Sequence, residues 1–122
     1  MILADTSVWI DHLRNGRDDL AARLSAGGVL GHPYVRGELA AGQIRDRAVT
    51  LRLLAELPPA EVAESEEVFR LIEVERLFGL GLSWVDLHLL AATRLTRDAR
   101  LHTLDRRLQA AVDRLGIGMD AD

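Results

Sequence analysis

Met1-Ile2-Leu3-Ala4-Asp5-Thr6-Ser7-Val8-Trp9-Ile10-Asp11 opens the chain, and the remaining residues are best laid out from it. Four apolar residues run straight into Asp5. A short unbroken apolar run suits a strand buried on both faces, the kind found inside parallel sheets. After it, Val8, Trp9, Ile10 and Leu13 recur at helical spacing, with Thr6 or Ser7 placed to cap exposed N–H groups. Asp5 then stands at the carboxyl end of a central strand, the edge of an open α/β sheet where ligands bind. An isolated buried charge is too costly to keep, so a carboxylate there must be paired, protonated or bound to a metal.

Outward from this start, helical segments alternate with short strand candidates. Asp18-Asp19 lead a short helix that stops at Gly27-Gly28, and Val29 to Gly31 is a weak strand candidate. Pro33 begins a helix that carries Val35, Glu38 and Leu39 as far as Gly42. Residues 44–57 have helical spacing and end at Pro58-Pro59; Glu61-Val62-Ala63 reads as a brief strand. Ser65 is the expected cap of a helix whose apolar side runs through Val68, Leu71, Ile72, Leu77 and Phe78. Ser83-Trp84-Val85-Asp86 opens a segment that is apolar on most sides and should be a central, well-buried helix. Arg100 to Leu104 reads as a strand, Asp105 opens a last helix, Gly116-Ile117-Gly118 reads as an edge strand, and the acidic tail after it is expected to fray. The pattern predicts one α/β domain over residues 1–122, a three-layer α/β/α arrangement around a short, mainly parallel sheet.

Composition narrows the chemistry. There is no cysteine, which excludes a disulfide framework and thiol catalysis and fits a reducing cytoplasm. All 15 basic residues are arginine, so no mechanism that needs an amine is available. An acid at position 5 does not fit a signal peptide, and no apolar run approaches the roughly 18–20 residues of a membrane span. A net charge of −4 is unusual for a nucleic-acid binder, but a cluster of acids that holds divalent cations counts as negative in such a tally.

Asp5, Asp86 and Asp105 each sit where an apolar run gives way to a helix. Taken singly, each is explained by helix capping, and Glu38 by a solvated helix face. Parallel strands would gather all of these positions on one edge of the sheet. Carboxylates packed together repel one another unless a cation offsets the repulsion, and hard oxygen donors in that number suit Mg²⁺ or Mn²⁺. With no other nucleophile apparent, metal-activated water is the remaining route.

Four segments carry a resemblance that covers nearly the whole chain: Leu3-Ala4-Asp5-Thr6-Ser7-Val8-Trp9-Ile10, His32-Pro33-Tyr34-Val35-Arg36-Gly37-Glu38-Leu39-Ala40-Ala41-Gly42, Trp84-Val85-Asp86-Leu87-His88-Leu89-Leu90-Ala91-Ala92 and Leu101-His102-Thr103-Leu104-Asp105-Arg106-Arg107-Leu108. In this order and at these distances they resemble the PIN-domain endoribonucleases, specifically VapC-type toxins of type II toxin–antitoxin pairs. The resemblance implies that Asp5, Glu38, Asp86 and Asp105 form an acidic site for Mg²⁺ or Mn²⁺, with Thr6 or Ser7, and Thr103, orienting carboxylates from behind. It also implies RNA hydrolysis to a 5′-phosphate and a 3′-hydroxyl, a VapB-like antitoxin as partner and a homodimer. Many relatives carry a further aspartate where this chain has Arg106 and Arg107, so four carboxylates are expected rather than five, with a second ion only when RNA phosphate supplies oxygens.

Arg94, Arg97, Arg100, Arg106 and Arg107 bracket Asp105; they are either a solvated face or a phosphate-gripping rim. The histidines show no metal-ligand spacing: His12 and His88 read as helix-surface or partly buried, His32 as a turn residue, His102 as a strand residue. Trp9 and Trp84 read as core or partner-facing. The leucine-rich stretches 44–57 and 68–82 offer material for an antitoxin groove and a dimer face. A receiver domain would need a lysine, and a haloacid-dehalogenase-type phosphatase would begin Asp-x-Asp where this chain reads Asp5-Thr6-Ser7. The alternative from another class is a catalytically silent PIN scaffold that binds a protein or RNA.

Overall fold

A computed structural model describes residues 1–119. The order of elements is β1 (Ile2–Ala4), α1 (Thr6–Asn15), α2 (Asp18–Ser25), β2 (Val29–Leu30), α3 (Pro33–Ala41), α4 (Arg47–Glu56), α5 (Ser65–Glu75), α6 (Trp84–Leu95), β3 (Arg100–His102) and α7 (Arg106–Leu115). The strands lie in the order β2-β1-β3 and both pairings are parallel, with Ile2 opposite Val29 and Arg100, and Ala4 opposite His102. Successive strand residues point to opposite faces, yet Ile2, Leu3 and Ala4 are all buried. Helices therefore cover both faces of the sheet.

This strand order positions the site. From β1 the chain passes through α1 and α2 to β2 on one side, and later returns as β3 on the other. The carboxyl end of β1 is thus a topological switch point, where a crevice opens between diverging connections. Asp5 leaves β1 there, and its N–H still joins the ladder by donating to the His102 carbonyl at 3.0 Å.

The expected central helix is α6, buried without a break from Leu87 to Thr93. The one hydroxyl in that run, Thr93 Oγ1, donates to the Leu89 carbonyl at 2.7 Å, so the polar atom is satisfied within its own helix. In α7 the buried residues Leu108, Ala111 and Val112 form one stripe, as the spacing predicts.

Several local expectations are corrected. Residues 61–63 form no strand, because the Glu61 N–H donates to Thr96 Oγ1 at 2.8 Å instead of to a ladder. Pairing on that side reduces to one parallel bridge between Gly31 and Pro59. The helix expected over 44–57 begins at Arg47, preceded by Asp46 in the left-handed region at φ 48°. Helix α5 is capped by Glu64 rather than Ser65, with the Glu64 N–H donating to Glu67 Oε1 at 2.9 Å. It stops at Glu75, where Arg76 turns left-handed and the Leu77 N–H closes back on the Ile72 carbonyl. Leu77 is buried all the same, from a loop, while Phe78 is exposed. The final edge strand is a single bridge between Gly118 and Leu101, because Gly116 is used as the left-handed cap of α7. The acidic tail, residues 120–122, lies outside the described residues.

Candidate functional site

Asp5 is the most enclosed of the four acids, at 5% exposure. Its Oδ1 caps α1 by accepting the Val8 N–H at 3.1 Å and also accepts the Ser7 hydroxyl at 2.6 Å. Its Oδ2 accepts the hydroxyl of Thr103, which follows β3. Every partner is a neutral donor, and Asp5 makes no ion pair among the described residues.

One hydroxyl relay leads outward from this carboxylate, and a second hydroxyl bond starts at the residue beside it. Thr103 Oγ1 also accepts the Asp105 N–H at 3.0 Å, and Asp105 caps α7 by accepting from Arg107 and Leu108 at 2.9 and 3.0 Å. Thr6, next in the chain after Asp5, donates its hydroxyl to Glu38 Oε1 on α3 at 2.5 Å. Ser7 ties Asp5 to the loop after β3 a second time, because its oxygen accepts the Leu104 N–H at 3.0 Å. The sequence offered Thr6 or Ser7 as the cap of α1 and as the residue orienting a carboxylate; the cap is Asp5 instead, which leaves both hydroxyls free to donate to an acid. Thr103 thus links Asp5 to Asp105, and Thr6 links Glu38 on α3 to the residue next to Asp5.

Asp86 is held differently. It sits at the third position of α6 in a reciprocal capping box, with the Ser83 N–H on Oδ2 and its own N–H on Ser83 Oγ, both at 3.0 Å. It shares no hydrogen bond with the other acids. Among the described residues, no three acidic or histidine side chains stand close enough together to enclose a metal ion as they are arranged. The donor chemistry nevertheless fits a hard divalent cation, since four carboxylates offer oxygens and the buried one lacks a cationic partner.

The arginines divide. Arg94 pairs with Glu75 at 3.0 Å, and Arg97 lies 3.9 Å from Asp98 in full solvent. Arg106 and Arg107 begin α7 beside Asp105 and, with Leu80 and Arg114, line a cleft of about 360 Å³. The Arg107 side chain passes so close to Gly81, at φ +76°, that a Cβ there would meet its guanidinium at 2.7 Å.

A second cavity, of about 380 Å³, shares Glu38 as a wall and includes Arg14, Gln43 and Arg45, none of which the sequence singled out. Its only advance signal was position, since Gln43 and Arg45 follow directly after the helix that carries Glu38.

Two histidines are more deeply placed than their spacing suggested. His88 is 1% exposed, and His32, 4% exposed, caps α3 by accepting the Tyr34 N–H at 3.0 Å. Tyr34 packs between them, with ring centroids 5.3 Å from His32 and 4.5 Å from His88. His32 Nε2 and both His88 nitrogens lack a hydrogen-bond partner among the described residues. Burial lowers His32 from 6.5 to about 4, with His88 adding to it, and burial lowers His88 as well. The unfolded chain therefore binds these protons before the folded one does. Stability is complete above about pH 6.5 and is lost as pH falls through that value toward 4, by about 3 kcal/mol for His32. A melting series from pH 7.5 to 4.5 should show this fall, and His32→Asn, whose side-chain oxygen can still accept the Tyr34 N–H, should flatten it.

Comparison with known proteins gives a consistent picture. The family model described as the PIN domain matches residues 2–115. Ribonuclease VapC32 of Mycobacterium tuberculosis, in strains CDC 1551 and H37Rv alike, is 45% identical to this chain over 119 residues, covering 98% of this chain and 96% of the relative.

Proposed function

The chain belongs to the PIN-domain family, and from that membership we propose that it is a divalent-metal-dependent endoribonuclease, the toxin of a VapC-type toxin–antitoxin pair acting in the cytoplasm. The observation that carries this reading is the buried Asp5 carboxylate at the switch point of the sheet, held entirely by neutral donors. A negative charge so placed calls for a cation.

Asp5, Glu38, Asp86 and Asp105 would hold Mg²⁺ or Mn²⁺. When bound, such an ion polarises a phosphoryl oxygen and lowers the pKa of water. The chain's own contribution is orientation. Ser7 and Thr103 fix the two oxygens of Asp5, so this ligand costs little to order. Glu38 is exposed and can turn toward a shared ion with little loss of packing, while Asp105 would keep Oδ1 on the first N–H groups of α7 and offer Oδ2. Asp86 would exchange its bond to the Ser83 N–H for metal coordination. Arg106 and Arg107, which line a cleft beside Asp105, would grip RNA phosphate, whereas Arg94 is already engaged with Glu75.

The partners proposed are single-stranded RNA, a VapB-like antitoxin and a second copy of the chain. Phe69, Val74, Phe78 and Leu95 on and beside α5 and α6 are exposed and supply apolar surface for the protein partners. No helix among the described residues is long and apolar enough to cross a membrane.

Among the described residues no three-ligand group stands ready-made, which favours a second reading, a silent scaffold with the same fold. One melting experiment separates the two. An ion that binds only the folded chain, at about 100 times its dissociation constant, stabilises it by about 2.7 kcal/mol and raises Tm by roughly 5–10 °C. Millimolar Mn²⁺ without any shift favours the scaffold. The nuclease reading further requires cleavage of total RNA that stops in excess chelator and leaves 5′-phosphate ends.

A further inference from the structure

We infer that the cavity bounded by α1, α3 and the loop 42–46 is a nucleobase pocket, which takes one unpaired base of single-stranded RNA beside the scissile phosphate and so sets where the chain cuts. The inference rests on the nuclease reading above and extends it from the reaction to its specificity.

The pocket has the size and mixed lining of a small-ligand site. Its volume is about 380 Å³, with Leu13, Leu39 and Ile44 as apolar walls and Arg14, Gln43 and Arg45 as polar groups. Unpaired bases are recognised in this way: the ring faces lie against apolar or guanidinium planes, and the edges hydrogen-bond to amides. A glutamine amide offers a donor and an acceptor side by side, the pattern needed to read a base edge.

Charge favours RNA over an apolar protein segment as occupant. Arg14 and Arg45 are exposed and make no ion pair among the described residues, in a chain of net charge −4. They line the cavity together with Glu38, whose charge would repel RNA phosphates, so the two cations offset that repulsion where the strand must pass. Connection to the reacting centre is direct. Glu38 forms part of the wall, and Thr6 joins Glu38 to the segment that carries Asp5.

The wall is also built before any ligand arrives. Arg47 donates to the Gly42 carbonyl at 3.1 Å and to the Ala40 carbonyl, closing the end of α3, and Thr50 Oγ1 donates to the Arg45 carbonyl at 3.1 Å. The loop that presents Gln43 is thus tied at both ends, and little ordering has to be supplied by the base.

The test uses the full chain in two arms. In the first, cut sites on total RNA are mapped for the wild type, Gln43→Ala and Arg45→Ala. Loss of base preference at a single position next to the cut in Gln43→Ala is the expected result, with a weaker KM for Arg45→Ala. Unchanged preference and KM in both variants would overturn the pocket. In the second arm, binding of a labelled single-stranded oligoribonucleotide is measured in excess chelator, where no cleavage can occur. A fivefold or greater weakening is expected for the Arg14→Ala, Arg45→Ala double variant. Equal binding by wild type and double variant, with loss only of a protein partner, would make the cavity a protein-docking site and overturn the inference. Because this arm reads binding without turnover, a wild type that binds RNA through these residues but never cuts it would sink the nuclease reading and leave the pocket standing.

Discussion

Asp5→Asn is expected to abolish RNA cleavage while leaving the fold in place. Asparagine keeps the shape of the side chain, and its oxygen still accepts the Val8 N–H and the Ser7 hydroxyl, so α1 stays capped. The new amide nitrogen faces Thr103, whose oxygen has lone pairs to accept where its proton used to donate. Only the negative charge is removed. Substituting groups behind a metal ligand costs about 10–100-fold, so losing a ligand itself should cost on the order of a thousandfold in kcat/KM. The same variant should melt within a few degrees of the wild type without metal and lose most of the Mn²⁺-induced rise in Tm. Retention of activity within about tenfold of the wild type, a change of only about 1.4 kcal/mol in transition-state stabilisation, would remove Asp5 from the reaction.

That such a prediction can be drawn reflects how legible this end of the molecule is in the sequence. The run Ile2–Ala4 has only one economical use, a strand covered on both faces, and the acid that ends it must then stand at the sheet edge. The same local logic gave Asp105 at the start of α7, Asp86 in the first turn of α6 and Glu38 on α3. Turn and cap chemistry reads less well, because it depends on partners far away in the chain. Glu61 leaves the ladder for Thr96, 35 residues on, and Arg76 ends α5 where Arg114 reaches over to its carbonyl. Nothing within a window of ten residues contains either partner. The burial of His32 and His88 escapes for the same reason, since Tyr34 packs between rings from α6 and the start of α3. The cavity beside Glu38 depends on how a five-residue loop closes against α1, and no periodicity encodes that.

Thr103 is the residue whose importance the sequence understated, and Thr103→Val is expected to lower cleavage by about 10–100-fold. Threonine and valine are nearly isosteric, so the change deletes a hydroxyl and almost nothing else. That hydroxyl is 5% exposed by residue and joins two acids: it donates to Asp5 Oδ2 and accepts the Asp105 N–H. Without it, Oδ2 of a buried carboxylate loses its donor and the Asp105 N–H loses its acceptor. Unmade bonds of this kind cost about 1–3 kcal/mol each when buried, so Tm should drop by several degrees as well. Loss of stability alone would be repaired by assaying well below Tm; loss of orientation would not. The distinguishing measurement is therefore the metal concentration that gives half-maximal activity, at a temperature where both proteins are folded. It should rise in Thr103→Val and return toward the wild-type value in Thr103→Ser, which restores the hydroxyl without the methyl. A valine variant with unchanged metal dependence would show that the relay serves the fold alone, and that Asp5 and Asp105 reach their positions without it.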